Sequence, residues 1–164
     1  VEFSMTVRES EFTALCGPEG STPGVRNLGP LRPDECPDAY LGADALFFPS
    51  LLETFSATYP EAMVTGRPVL TSDLPFARSV CGDAAGYFDP YDARSACDAI
   101  ERLVRDPAWR SDLVAKGRAR LKTFDDAATR CTKLLRVLEG LVDDATHGLA
   151  EPPSVARTVH HGQG

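Results

Sequence analysis

Two carboxylates, Glu53 and Glu61, stand with seven residues between them in the most legible stretch of the chain, ALFFPSLLETFSATYPEAMVTGRPVLT over residues 45–71. Ala45–Pro49 is an apolar run of strand length. Thr58–Thr65 reads as a helix ended by Gly66, with Pro68 just beyond. Val69–Thr71 reads as the next strand. Glu53 therefore falls in the loop after a strand, and Glu61 in the first turn of the following helix. In a parallel α/β sheet both lie near the carboxyl edge of the strands, where open sheets bind ligands. A helix N-terminus adds free backbone N–H groups and partial positive charge, which suit a diphosphate. Here the N–H groups of about Phe55 to Thr58 would face it. Carboxylates on either side can accept hydrogen bonds from paired sugar hydroxyls. When a sugar–phosphate bond breaks, fixed N–H dipoles and any nearby Lys or Arg stabilise the charge gained by the leaving phosphate.

Each of these residues also has a purely structural reading. Thr58-Tyr59-Pro60-Glu61 fits a capping box, in which the glutamate reaches back to the cap's own N–H. Glu53 has a solvated loop carboxylate as its structural alternative. Asp73, Asp83, Asp89 and Asp92 read as caps and turn residues. Arg67 and Arg78 read as surface charges, either of which could approach a phosphate. Trp109, at a helix start, reads as a packing residue rather than a platform for a base.

Around this stretch the pattern alternates. VEFSMTV opens as a strand; residues 8–24 read as loop with a short helix; Val25–Gly29 reads as a short strand. Pro33–Leu41 reads as a short helix with Asp34 and Glu35 in its first turn. Pro75–Val80 reads as a short helix capped by Ser72 or Asp73, and Gly86–Phe88 as a strand. Three longer helices follow. Asp92 caps the first, with Ala93, Ala96, Ile100, Leu103 and Val104 on one face. Asp106–Pro107 starts the second, running to about Lys122. Asp125 starts the third, with Ala128, Cys131, Leu134, Leu135, Leu138 and Val142 on one stripe. Spacings of three and four mark one buried face on each; the stripe from Leu134 to Val142 reads as core or as a docking surface. From about Asp143 the chain turns polar and Glu151–Gly164 reads as disordered. The expectation is an α/β domain over 1–142, with a parallel sheet covered by helices on both faces, and a tail over 143–164. No internal repeat, GxGxxG fingerprint or GxxxxGK loop is present.

Composition excludes several classes. The 164 residues suit one domain. A net charge of -7 argues against a general nucleic-acid binder. The basic stretch from Arg102 to Lys122 reads as a solvated helix face, with weak peripheral contact to anionic lipid as the alternative. Five widely spaced cysteines without a CxxC pair fit a reduced, cytoplasmic chain better than a disulfide framework or zinc site. There is no apolar run of spanning length and no visible signal peptide. His147, His160 and His161 all follow the last apolar-periodic segment, which argues against a His-based triad or metal site within the domain.

The E-x7-E pair resembles the signature of the group 1 family of retaining GT-B glycosyltransferases. The resemblance runs on through Glu61–Val69, EAMVTGRPV, similar to the family's EAMACGxPV, and Gly82–Pro90, GDAAGYFDP, similar to its GDAALYFDP. It is good from about Tyr40 to Gly140 and thin before that. It implies a Rossmann-like fold, the C-terminal, donor-binding half of GT-B. By position, Glu53 matches the catalytic glutamate that contacts the transferred sugar, and Glu61 the one that holds the ribose hydroxyls. Thr54, Phe55, Ser56, Ala57 and Thr58 match the phosphate-contacting loop, and Gly29–Leu31 would lie by the base. The implied reaction is transfer of a hexose from a UDP- or GDP-sugar to an acceptor hydroxyl with retention, with no metal and no cofactor beyond the donor.

The chain also departs from the family. Thr54 and Ser56 stand where glycines are usual, and the usual proline is displaced to Pro60. The family's donor-phosphate Arg and Lys lie well upstream of the first glutamate. Here Arg8, Arg26 and Arg32 are the only basic residues before Glu53, and none sits in that motif. The acceptor-binding N-terminal domain is absent from this sequence, so the expectation is a fragment, a truncated product or one half of a split transferase working with a partner chain. A non-catalytic nucleotide-sugar-binding module and a sugar-nucleotide epimerase are the rival readings.

Overall fold

The computed structural model describes residues 1–18 and 21–147, with side chains as far as residue 142. The chain forms two compact units, Val1–Thr123 and Phe124–Gly164.

The first unit alternates strand and helix as the pattern implies. Its strands are β1 (Phe3–Met5), β2 (Val25–Asn27), β3 (Leu46–Phe48), β4 (Val69–Ser72) and β5 (Ala85–Phe88). Its helices are α1 (Glu9–Cys16), α2 (Cys36–Leu41), α3 (Thr58–Val64), α4 (Pro75–Cys81), α5 (Ala93–Arg105) and α6 (Pro107–Leu121). All strand pairs are parallel. β1 pairs with β2, and β3-β4-β5 forms a separate three-stranded sheet, with Leu46 opposite Val69 and Val69 opposite Ala85. Phe3 meets Phe47 edge-on at 5.6 Å between ring centroids, so aromatic packing joins the two sheets. β4, the central strand, is buried along its whole length, as expected of a parallel strand covered on both faces.

The core lies between this sheet and the helices that follow it. Leu70, Phe88, Leu103 and Leu113 are buried together, with Phe47, Ile100 and Trp109 packed around them. Phe47 stacks on Phe88 at 5.1 Å. Trp109 is thus a packing residue, and its outer face carries the Arg102 guanidinium at 4.1 Å. Asp92 and Asp106 cap α5 and α6 through the backbone N–H groups of Arg94 and Trp109. Gly66, at φ +72, takes the left-handed turn that closes α3.

The short helix expected within 8–24 is present as α1, eight residues long and anchored by Phe12, which is 1% exposed. Several other elements differ from the sequence reading. Pro33–Leu41 is helical only from Cys36, because Arg32–Glu35 forms a turn closed by the Glu35 N–H on the Arg32 carbonyl. α4 is not capped by Ser72 or Asp73; its N-cap is Leu74, and Asp73 is drawn into an ion pair with Arg78 instead. Asp83 caps nothing and lies 3.9 Å from Lys116.

In the second unit the described element is α7 (Ala127–His147). Its start is capped by Asp126, one residue later than expected, while Asp125 pairs with Lys133 at 2.6 Å. It runs through residues 143–147, which the sequence reading assigns to the irregular tail; neither Gly nor Pro interrupts 141–147. Residues 148–164 lie outside those described. Leu134, Leu135, Leu138 and Val142 are 48–61% exposed rather than buried. Within its own unit α7 is the one described element, so no neighbour there covers its stripe.

Gly86 is the most closely packed of the described glycines. A Cβ built on it would come within 2.6 Å of Leu70 Cδ2 and 2.7 Å of Trp109 Cη2. Gly86→Ala is therefore expected to destabilise the first unit by about 1–3 kcal/mol through overpacking, read as a lower urea midpoint with an unchanged slope.

Candidate functional site

The three parallel strands β3, β4 and β5 end side by side at Phe48, Ser72 and Phe88. The loop 49–57 leaves β3 at that edge and enters α3. What fixes it there is a buried polar chain. Tyr59, fully buried in the first turn of α3, shares a hydrogen bond of 2.8 Å with the Thr71 hydroxyl of β4. Thr71 Oγ1 in turn donates to the Phe48 carbonyl at 3.0 Å. The Phe48 and Tyr59 rings meet edge-on at 5.3 Å. Burial holds the Tyr59 phenol above its ordinary pKa. One strand end, its neighbour and the next helix are thereby locked together, and the loop spans a fixed gap.

Both glutamates stand on this frame. Glu53 is half-buried, and its Oε1 accepts from Ser50 Oγ at 3.1 Å. Ser50 Oγ also lies 3.2 Å from the Leu52 carbonyl, so it ties the turn and the carboxylate together. Glu61 is exposed, and its Oε2 accepts from Tyr40 Oη of α2 at 3.0 Å. Burial, and then the hydrogen bond to Glu61, hold the Tyr40 phenol well above its ordinary pKa. The capping box is not formed. α3 begins after Ala57, so Glu61 is the fourth helical residue rather than the third, and no side chain caps the helix. Glu61 contributes only its backbone N–H to the Ala57 carbonyl, at 3.0 Å, leaving its carboxylate outside the cap.

The stretch matched to phosphate contact is mixed. Thr54, Phe55 and Ala57 are exposed, Thr58 is half-buried and Ser56 is buried. Pro60, within the first turn of α3, removes one of the N–H groups that a helix start would offer. Gly29, in the loop expected near a base, follows β2 with φ +75, and its N–H donates to Asn27 Oδ1 at 3.1 Å. Beyond β4, Asp73 and Arg78 form a two-pronged pair at 2.6 and 2.8 Å, and the guanidinium lies 3.8 Å from the Tyr87 ring centroid. The bond to Arg78 holds the Asp73 carboxyl below the usual carboxylate range. Arg78 is thus already engaged as a surface ion pair.

In the basic stretch, Lys116 pairs with Asp112 at 2.7 Å, and Arg120 donates to the Val80 and Ser79 carbonyls at 2.8 and 2.6 Å. Lys116 and Asp112 form an i,i+4 pair along α6, while Arg120 braces α6 against α4, in keeping with a structural helix face. A cavity of about 540 Å³ opens at the opposite edge of the sheet, lined by Asp44, Arg67 and Arg110 among others, and includes neither glutamate. Among the described residues no cluster of His, Cys, Asp and Glu is arranged to hold a metal, and no helix is long and apolar enough to cross a membrane.

Sequence reasoning missed Ser50, Tyr40 and Thr71. Tyr40 lies 21 residues from Glu61 and Thr71 lies 12 from Tyr59, and no periodicity encodes such pairings. The buried chain makes an asymmetric prediction. Tyr59→Phe leaves Thr71 bonded to Phe48 and is expected to cost about 1 kcal/mol. Thr71→Val strands the Tyr59 hydroxyl in the core and is expected to cost about 1–3 kcal/mol, the two being ranked by urea denaturation.

Comparison with known proteins agrees with this fold. The family model described as "Glycosyl transferases group 1" matches residues 9–120. O-antigen chain mannosyltransferase B of Escherichia coli is 33% identical over 100 residues, covering 61% of this chain and 26% of that protein. D-inositol 3-phosphate glycosyltransferase of Streptosporangium roseum is 28% identical over 142 residues, covering 85% of this chain and 32% of that protein. The chain thus spans about a quarter to a third of the length of these relatives. Among solved structures, sucrose-phosphate synthase from Thermosynechococcus elongatus superposes with a TM-score of 0.65 at 24% identity, over 73% of this chain and 31% of that one. HepE of Anabaena, solved in complex with UDP-glucose, superposes with a TM-score of 0.65 at 19% identity, over 80% of this chain and 35% of that one.

Proposed function

This chain belongs to the group 1 glycosyltransferases and has the Rossmann-like α/β fold of the C-terminal half of a GT-B enzyme, and from that premise we propose that it is the nucleotide-sugar-binding domain of a retaining hexosyltransferase. The observation that carries the reading is the state of Glu61. Its carboxylate is exposed, lies outside the helix cap, and is held at one oxygen by Tyr40. A carboxylate so placed is available to accept hydrogen bonds from a vicinal diol, which is the role that the matching position implies for the ribose. Glu53, in the loop that leads into α3, is the residue we propose for contact with the transferred sugar and for catalysis.

The donor is a UDP- or GDP-sugar. Thr54, Phe55, Ser56, Ala57 and Thr58 form the segment that would run past its diphosphate. A backbone N–H or hydroxyl directed at the leaving phosphate stabilises the charge that develops there, because a fixed dipole need not reorganise during the step. The complex of HepE with UDP-glucose supports a donor of this class for the fold. The acceptor hydroxyl and the groups that bind it belong to the complementary half of the enzyme. We therefore propose that this chain binds donor and that transfer requires that half, whether as a further domain or as a partner chain. In the complete enzyme, removing the Glu53 carboxylate is expected to cost about 2–4 kcal/mol of transition-state stabilisation.

Calorimetric titration of the chain with UDP, GDP and their hexose conjugates tests the site directly. One nucleotide is expected to bind, and Glu61→Ala is expected to weaken it roughly ten- to a hundredfold, the value of hydrogen bonds to a charged acceptor. Equal binding by the chain and its Glu61→Ala variant would remove Glu61 from the site. Transfer catalysed by this chain alone would overturn the need for a complementary half.

A further inference from the structure

Glu61 is a long side chain on the exposed face of a helix. Left free, it would sample several rotamers, and a ligand that needs one of them must first halt that sampling. In this structure it is not left free. Tyr40, the fifth residue of α2, reaches across to α3 and places its hydroxyl 3.0 Å from Glu61 Oε2. The same hydroxyl lies 3.4 Å from the Thr58 carbonyl. It has one proton, and the shorter, charge-assisted contact to the carboxylate is the stronger. The ring is half-buried, so the phenol is itself fixed. Among the described residues Glu61 Oε1 accepts no hydrogen bond, and the remaining lone pairs of the carboxylate face solvent.

We propose that Tyr40 is a positioning residue for nucleotide recognition. Its hydroxyl holds the Glu61 carboxylate in the one rotamer that accepts both hydroxyls of a ribose, so a ribonucleoside diphosphate is distinguished from its 2′,3′-dideoxy analogue. This rests on the ribose-binding role of Glu61 proposed above. Tyr40 touches the ligand only through Glu61. Its contribution therefore vanishes when either the carboxylate or the diol is missing, whereas a residue that merely packs α2 on α3 would affect all nucleotides alike.

The test is a set of titrations on the full chain with UDP and GDP and with their 2′,3′-dideoxy analogues, using Tyr40→Phe, Glu61→Ala and the double variant. Tyr40→Phe is expected to weaken the ribonucleotide roughly two- to tenfold, the scale of one immobilised flexible side chain, and to leave the dideoxy analogue unchanged. In the Glu61→Ala background it is expected to have no further effect. An equal loss for ribo and dideoxy forms, or a loss that persists without Glu61, would make Tyr40 a packing residue and overturn the proposal. So would unfolding of Tyr40→Phe, since the hydroxyl would then serve the fold. If Glu61→Ala weakens the ribonucleotide and Tyr40→Phe does not, this proposal falls and the ribose role of Glu61 stands. If the unaltered chain binds neither nucleotide, or binds ribo and dideoxy forms alike, both fall.

Discussion

The site depends on one side chain in the central strand. Thr71 of β4 donates to the carbonyl that ends β3 and shares a hydrogen bond with Tyr59 at the start of α3. A hydroxyl is the smallest group that can do both, having one proton and two lone pairs. Because the strand is buried along its length, neither bond competes with water. The distance between the end of β3 and the start of α3 is therefore set by the core rather than by the loop that spans it. Glu61 stands on the helix side of that span, and Glu53 lies within the loop that crosses it, tied to Ser50.

On this frame the two carboxylates are treated alike. Each is held at one oxygen by one neutral hydroxyl, Ser50 for Glu53 and Tyr40 for Glu61. A neutral donor orients a carboxylate without cancelling its charge, as an arginine would. The contrast is with Asp73, whose two oxygens are both taken by Arg78. An acid so paired is a structural brace. An acid held by a single hydroxyl leaves most of its lone pairs open to a further donor. The same sheet edge thus carries both kinds, and the partner distinguishes them.

The sequence made the order of elements legible because burial imposes period. Alternating apolar strands and amphipathic helices marked the parallel α/β fold, and Gly66, Asp92 and Asp106 marked helix ends through local chemistry that needs no tertiary contact. The E-x7-E pair was legible because both residues lie in one strand–loop–helix unit. What was not legible came from distance along the chain. Tyr40 meets Glu61 only because α2 packs beside α3, and Thr71 meets Tyr59 only because β4 lies beneath that helix. Asp73 was misread as a cap because its type favours one, while Arg78, five residues on, offered a stronger partner. The stripe on α7 reads from sequence as either core or docking surface, because periodicity shows which face is apolar and says nothing of what covers it; its exposure removes the core reading.

The missing glycines of the loop can be weighed in the same terms. Glycine serves such a loop either by taking a backbone conformation closed to other residues or by leaving space for a ligand. Among the described residues no non-glycine has a positive φ, so Thr54 and Ser56 stand in conformations any residue can adopt. The substitution of both costs no backbone strain. Ser56 is 8% exposed, so its side chain turns inward and takes little of the volume outside the loop. Thr54 is exposed and is the one whose side chain occupies space where a glycine would leave it open. A β-branched residue there narrows the approach to the backbone N–H groups, but brings a hydroxyl that can donate to a phosphate oxygen in their place. Of the two residues that stand where glycines are usual, Thr54 is therefore the one whose side chain lies outside the loop.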